Sequence, residues 1–223
     1  MGLLRGRNTT AESADIATQA ASSVNGGTLA VIVSGVALIF SGYSLWETSL
    51  KAADVRAFVP PVIQFAAPYQ NSNFEMIAVP VTLTNEGARS ATVLSMELAV
   101  TDPRTRQTKR FYAADFGRWT MEKTRAGAYE PFAPISLTGR TSRTESVLFY
   151  TRGEDEKPNE LIRAAGPYQF TLTFDLAESR TKPAVSFERT LLGYDARAFN
   201  EGTLPLYSSD WRAARSTSPQ QAP

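Results

Sequence analysis

Two patterns of hydrophobic positions divide the chain. Residues 27–46 form a continuous apolar run without a charged side chain, GTLAVIVSGVALIFSGYSLW. A helix needs about 20 apolar residues to cross the hydrocarbon core of a bilayer, and inside lipid it must close its own backbone hydrogen bonds. Beyond Pro60 and Pro61 the apolar positions recur every second residue, which is the period of a half-buried strand. The patterns therefore predict one transmembrane helix followed by a β domain.

The period of two marks several short strands. The candidate strands are 58–65, 77–83, 94–100, 110–113, 132–137, 143–150, 168–176 and 184–191. Short strands at short intervals, with no long amphipathic helix among them, are typical of a β-sandwich. Because proline cannot donate a ladder hydrogen bond, Pro80 favours an edge position for its strand. We predict an all-β fold, an antiparallel β-sandwich of about eight strands.

The same patterns set the predicted domain boundaries. They are a polar N-terminal tail at 1–26, a transmembrane helix with a juxtamembrane extension at 27–57, a β-sandwich domain at 58–211 and a disordered C-terminal tail at 212–223. The extension rests on Glu47 and Lys51, an ion pair at helical spacing. Thr9 and Glu12 can form a capping box that begins a short helix, but the scarcity of apolar residues favours a disordered tail.

One face of the predicted membrane helix consists of small residues. They follow one another at spacings of three and four: Ala30, Ser34, Ala37, Ser41 and Ser44. This is the period of a left-handed helix pair, and small residues let two backbones approach closely in a membrane. The predicted partners are membrane lipid around residues 27–46 and a second helix, from another copy or another membrane protein. The alternative is that small residues are simply common in membrane helices.

The stretch from Val59 to Leu176 resembles a known group of proteins. The resemblance lies in PPVIQF, IAVPVTLTNEGARSATVLSMEL and PISLTGRTSRTESVLF, placed behind a membrane anchor. The group is the bacterial single-pass, membrane-tethered immunoglobulin-like β-sandwich proteins of unassigned activity. The resemblance implies an immunoglobulin-like fold of seven or eight strands in two sheets. It implies no catalytic residue, and a fold alone does not establish a function.

The composition excludes several kinds of chemistry. The 223 residues include no Cys and no His, so the usual zinc sites, thiolate nucleophiles and Ser-His-Asp triads are impossible. Carboxylate chemistry, a Ser-Lys pair or an oxygen-ligand calcium site remain open, but no spacing singles one out. The net charge of +1 offers no basic footprint for nucleic acid. We predict a protein that is not an enzyme, with no cofactor, no metal and no nucleic-acid partner.

One segment, residues 110–119, is rich in aromatic side chains. It reads RFYAADFGRW, and aromatic rings with Arg and Asp nearby can form a platform that binds sugar or peptide. Tyr112 and Trp119 are the candidate surface-binding residues. The alternative, which we favour, is that Phe111, Phe116 and Trp119 pin a long connection onto the core.

Two charged clusters are interpreted as solvated surface. The acidic stretch 153–160 lacks the every-second-residue oxygen spacing of a calcium loop. The basic cluster is predicted to be an exposed turn and strand start, or a contact to anionic lipid if the domain is cytoplasmic. Its members are Arg104, Arg106, Lys109 and Arg110.

The predicted function is a membrane-anchored binding or scaffold module, an accessory subunit that contacts other membrane or envelope proteins. A glycan- or cell-wall-binding module that uses residues 111–119 is the alternative. Lys51 and Arg56 follow the helix closely, which favours a cytoplasmic domain. Long domains translocate largely regardless of charge, however, and a short N-terminal tail commonly stays inside. We therefore predict a single-pass inner-membrane protein with a periplasmic β domain.

Overall fold

The chain folds as two separate units, residues 1–51 and residues 52–223. The structure is a computed structural model, and it describes residues 10–68, 75–117, 129–153, 156–193 and 203–211. The predicted C-terminal tail at 212–223 and the candidate residue Trp119 lie outside these ranges.

The described part of the first unit is one long helix. Helix α1 spans Thr10–Leu45 and continues into a π-helical turn at Trp46–Leu50. Its segment Gly27–Leu50 has 24 residues, so the N-terminal helix is long and apolar enough to span a membrane. The Lys51 ammonium lies 3.2 Å from the Glu47 carboxylate, as the helical spacing predicted. The N-terminal segment is helical from Thr10 onward, where the sequence favoured a disordered tail.

The predicted juxtamembrane extension to residue 57 is wrong. The helix ends at Leu50, and strand β1 begins at Val55. Residues Val55–Phe58 pair with the later strand segment 82–85, which satisfies backbone groups that a longer helix would have satisfied internally. Pairing with β3 therefore outweighs the helical preference of the residues in this segment.

The described residues of the second unit form eleven strands. They are β1 Val55–Phe58, β2 Val62–Ala66, β3 Met76–Asn85, β4 Ala91–Asp102, β5 Gln107–Phe116, β6 Glu130–Pro131, β7 Ile135–Leu137, β8 Ser142–Thr151, β9 Gly166–Leu176, β10 Ala184–Leu191 and β11 Thr203–Tyr207.

Eight of these strands form a closed barrel, so the predicted immunoglobulin-like β-sandwich is wrong. The order around the ring is β5-β8-β3-β2-β11-β10-β9-β4, and β4 pairs with β5 to close it. Every neighbouring pair in the ring is antiparallel. Strand β4 pairs with β9 on one side and β5 on the other, which joins what would be separate sheets in a sandwich. Irregularities at Val93/Ser95 in β4 and Ala113/Asp115 in β5 accompany this closure, as bulges bend strands.

Pro80 lies in an interior strand rather than at an edge. Strand β3 pairs with β8 along its length, while β2 and β1 share its other side. Residues 79–81 lie between the parts paired with β2 and with β1. Thr151 donates its N–H to the Glu75 carbonyl, so these two residues are a hydrogen-bonded pair. Hydrogen-bonded and non-hydrogen-bonded pairs alternate along an antiparallel ladder, and the backbone nitrogen of residue 80 therefore points away from β8. Pro80 therefore lacks its N–H where no partner strand runs.

The barrel interior holds the alternating residues that the sequence pattern placed inward. The largest buried aromatic side chains are Phe65, Phe111, Phe149, Tyr168, Phe170 and Phe174. The turn after β3 is fixed by Asn85, whose side chain accepts from the Gly87 N–H at 3.0 Å and donates to the Arg89 carbonyl at 2.8 Å. A Cβ on Gly87 would lie 2.0 Å from the Ala52 carbonyl oxygen, so glycine serves close approach there.

Candidate functional site

The predicted aromatic platform is reduced to one ring among the described residues. Tyr112 is 43% exposed on β5 and lines an outer groove of about 730 Å³ formed by β4, β5 and β9. Phe111 is fully buried, and Phe116 packs against Phe132 with ring centroids 5.0 Å apart. Phe111 and Phe116 thus belong to the core and its cover, as the alternative interpretation held.

The three cationic and two anionic side chains that line the Tyr112 groove pair with one another. Glu97 lies 3.0 Å from Arg152 and 3.7 Å from Arg110. Asp175 lies 2.7 Å from Lys182, and this hydrogen-bonded cation is the main cause that lowers the pKa of the Asp175 carboxyl. A groove with internally paired charges has little net attraction for a charged ligand.

The five small residues of the predicted helix seam are all exposed on α1. A Cβ added at Gly35 or Gly42 would meet nothing within 4 Å. Association of this face with another helix stays a prediction.

A buried ion pair, Glu75–Lys109, replaces part of the predicted solvated cluster. Both side chains are 0% exposed, and the Lys109 ammonium contacts Glu75 Oε2 directly. Lys109 also donates to the Asn159 carbonyl at 2.8 Å, and Glu75 Oε1 accepts from the Leu161 N–H at 3.0 Å. Burial raises the pKa of Glu75, and Lys109 opposes that shift. The pair fastens the connection between β8 and β9 to the barrel wall.

Arg104 is exposed in the β4–β5 turn, and its guanidinium is also held by specific partners. Its guanidinium donates to both Asp102 carboxylate oxygens, at 2.9 and 3.1 Å, and to the Tyr168 hydroxyl at 2.8 Å. It also donates to the Ala165 carbonyl at 2.8 Å. These hydrogen bonds from Arg104 lower the pKa of Asp102, overcoming the effect of burial. The arrangement joins the β4–β5 turn to the start of β9.

Strand β10 has an open edge that the sequence did not reveal. β9 pairs with it over its whole length, whereas β11 pairs with it only at Thr190↔Tyr207 and Leu191↔Leu206. The barrel is therefore closed at this seam by its last two β10 residues alone. Over 184–189 the side of β10 that faces away from β9 has no partner strand in the described part of the chain.

The hydrogen-bonding direction of this edge follows from one contact. The Phe174 N–H donates to the Pro183 carbonyl at 3.1 Å, which makes these residues a hydrogen-bonded pair. In an antiparallel ladder such pairs alternate. The N–H and C=O groups of Ala184, Ser186 and Glu188 therefore point away from β9, and we call these groups the β10 edge. None of them forms a backbone bond on that side within the described ranges.

Exposure confirms that solvent reaches the barrel beside the β10 edge. Val185 and Phe187 face the same side as buried Leu191, yet both are only half-buried. Phe187 stacks on fully buried Phe170, with centroids 5.2 Å apart and planes at 4°. Phe187 remains partly exposed here because no strand of the described residues lies beside this part of β10. We call this opening the slot.

Arg189 lies at the end of the slot and carries an unneutralised charge. It is 5% exposed, and its guanidinium lies over the Phe187 ring at 4.7 Å. It donates to the carbonyls of Glu188 and Pro60, each at 2.6 Å, and of Val59 at 3.2 Å. Its Nε is buried without a hydrogen-bond partner, and no carboxylate of the described residues forms an ion pair with it. Burial lowers the pKa of Arg189.

The buried charges carried a sequence signal that we did not use. Glu75 stands in phase with Ile77, Lys109 with Phe111, and Arg189 with Leu191, always on the core-facing side of the alternation. A charged residue at a core-facing position is buried and needs partners. The slot itself had no such signal, because it depends on where β11 pairs.

No protein-family model matches the chain, and no curated protein matches it. Among solved structures, a protein from Bordetella pertussis described as ApaA is similar at 15% identity, over 71% of this chain and 97% of that chain, with a TM-score of 0.28. A protein from Archaeoglobus fulgidus is similar at 12% identity, over 62% of this chain and 94% of that chain, with a TM-score of 0.31. At these TM-scores neither similarity supports an inference about this chain.

Proposed function

We propose that the protein is a membrane-anchored module that binds extended peptide segments of other membrane or envelope proteins by strand addition at the β10 edge. The observation that carries the proposal is the row of outward N–H and C=O groups of Ala184, Ser186 and Glu188. An extended peptide adds to an exposed sheet edge through such groups, and its alternate side chains occupy neighbouring pockets. The apolar helix would hold the barrel at a bilayer, which we propose is the inner membrane, with the barrel on the periplasmic side.

The energetics require side-chain contacts as well as backbone pairing. The Glu188 carbonyl already accepts from Arg189, so three N–H groups and the carbonyls of Ala184 and Ser186 remain. These five groups can form five hydrogen bonds, worth about 2.5–7.5 kcal/mol in all at about 0.5–1.5 kcal/mol each. Association costs at least about 4 kcal/mol. Phe187 is already mostly buried, so covering the rest of its ring adds at most about 1 kcal/mol, a third of the value for full burial. We therefore expect a peptide with an apolar residue opposite Phe187 and a dissociation constant in the micromolar range or weaker.

The experiment uses the full chain in lipid nanodiscs and a phage-displayed library of short random peptides. Selected peptides are synthesised with a fluorophore, and their dissociation constants are measured by anisotropy. Ser186→Pro removes an outward N–H without removing a bond to β9, so it should weaken binding about tenfold or more. Ser186→Ala keeps the N–H and is the matched control, which should bind as the wild type does.

Circular dichroism and thermal unfolding of both variants establish that the barrel is intact. Equal binding by the Ser186→Pro and Ser186→Ala chains would refute strand addition at this edge. Failure of the library to yield any peptide whose binding depends on Ser186 would refute it as well.

A further inference from the structure

Arg189 places a buried positive charge at the end of the slot, which favours an anionic group on a bound ligand. Every hydrogen-bond partner of its guanidinium is a neutral backbone carbonyl, and three bonds account for three of its five N–H donors. A buried charge is costly unless an opposite charge balances it, so a cation left with carbonyls alone has unused capacity for an anion. The Nε, buried and without a partner, is one of the unused donors.

The position of Arg189 connects this capacity to the β10 edge. Its Cα directly follows Glu188, the last residue of that edge, and its Nη2 reaches the Val59 and Pro60 carbonyls. Its guanidinium also covers Phe187, whose ring is partly exposed in the slot. A strand lying along Ala184–Glu188 would end next to this cation.

We propose that the peptide bound at the β10 edge carries a carboxylate that pairs with Arg189, either an Asp or Glu side chain or a C-terminal carboxylate. This inference rests on the proposed function. Charge-assisted hydrogen bonds are shorter and about twice as strong as neutral ones. The bond to Val59, at 3.2 Å, is the longest that the guanidinium makes and the one that a carboxylate would replace at least cost.

The competing explanation gives Arg189 a structural role only. Pro61 cannot donate a backbone hydrogen bond, and Arg189 satisfies the carbonyls of Val59 and Pro60 beside this corner. Under that explanation Arg189 variants lose stability, but a ligand carboxylate changes nothing. The first experiment therefore compares peptides with and without the carboxylate for binding to the wild-type protein.

Each peptide selected on the full chain in nanodiscs is synthesised as a set. One form has its free C-terminal carboxylate, one has a C-terminal amide, and others carry single Asp→Asn or Glu→Gln changes. We expect one of these changes to weaken binding to the wild type about tenfold or more. The form that loses affinity identifies which source supplies the carboxylate.

The protein side of the cycle uses Arg189→Gln, with Arg180→Gln as control for an exposed cation near the start of β10. The Arg189→Gln chain should bind the acidic and amide peptides equally, whereas the Arg180→Gln chain should keep the wild-type ratio. If Arg189→Gln does not fold, Arg189→Lys replaces it, and the acid-to-amide ratio should fall because Lys lacks the planar fork.

The two proposals fail in different ways. Equal binding of acidic and amide peptides, with Ser186→Pro still abolishing binding, would overturn the role of Arg189 and leave strand addition standing. Binding that is insensitive to Ser186→Pro would overturn strand addition itself.

Discussion

Replacing Lys109 by methionine should be among the most damaging single changes in the barrel. The change leaves the Glu75 carboxylate buried without its counter-ion, and breaking a buried pair in this way costs about 3–5 kcal/mol. Domain stabilities are only about 5–15 kcal/mol in total. Glu75→Gln, which removes the carboxylate charge that faces Lys109, should cost a similar amount while keeping the acceptor for the Leu161 N–H.

The double variant Glu75→Gln/Lys109→Met tests the reasoning more sharply than either single change. The singles together would sum to about 6–10 kcal/mol. The double variant removes both charges of this pair and retains an oxygen for Leu161, and its loss includes the bond from Lys109 to the Asn159 carbonyl. Leaving that carbonyl unpaired costs about 1–3 kcal/mol, and the difference is the coupling energy of the pair.

Urea titration of the full chain in detergent, followed by tryptophan fluorescence, measures these free energies of unfolding. Arg143→Met is the matched control, because Arg143 pairs with Glu145 at 2.6 Å on the exposed face of β8. Exposed pairs contribute about 0–1 kcal/mol, so this variant should stay close to the wild type.

The Lys109→Met variant should also show a stronger pH dependence than the wild type, in which the pKa of Glu75 is already raised. Without Lys109, burial holds the folded-state pKa of Glu75 further above its ordinary value of 4.5. The folded state then binds a proton more readily than the unfolded state, so stability falls as the pH rises through the folded-state pKa. A double variant as unstable as the sum of the singles, or a Lys109→Met penalty that shrinks with rising pH, would refute this account.

Three further changes have defined outcomes. Asp102→Asn removes a carboxyl whose pKa Arg104 holds below 3.8, so the variant should be less stable than the wild type near neutral pH. In urea titrations the difference in unfolding free energy should shrink as the pH falls through the folded-state pKa, because the wild type loses this contribution there. Ala37→Leu should weaken helix association by about 1 kcal/mol or more in a membrane two-hybrid reporter, whereas Val36→Leu should do little; equal effects would remove the seam. Alkaline phosphatase fused after Trp211 should be active, and an inactive fusion would place the barrel in the cytoplasm.

The sequence located individual strands better than it located their neighbours. Alternation marks β3 and β9 clearly because each has one face in the core, as Val79 and Phe170 illustrate with no exposed area. Alternation within a strand does not specify its partners, because which strands pair depends on the path of the whole chain. The residues that join β4 to both β9 and β5 look like ordinary strand residues, so the pattern was consistent with a sandwich.

The candidate site was less accessible to sequence reasoning. Arg189 could have been flagged from its phase with Leu191, but its lack of a carboxylate partner depends on tertiary neighbours. The slot exists because β11 is short and reaches β10 only at Tyr207 and Leu206. No local property of Thr203–Tyr207 specifies that it pairs fully with β2 and only briefly with β10.

Ring closure also sets the order in which the barrel can be completed during synthesis. Strand β2, at Val62–Ala66, receives one of its two neighbours only when Thr203–Tyr207 has been made. At about 5–20 residues per second, the ribosome needs on the order of ten seconds to make the residues between β2 and β11. One edge of β2 has no partner strand during that time. Ile63 and Phe65, fully buried in the finished barrel, lie on a strand that is open to other nascent chains during this time. We therefore expect the yield of folded protein in a cell to depend on whether β2 is kept from pairing with other chains until β11 has been synthesised.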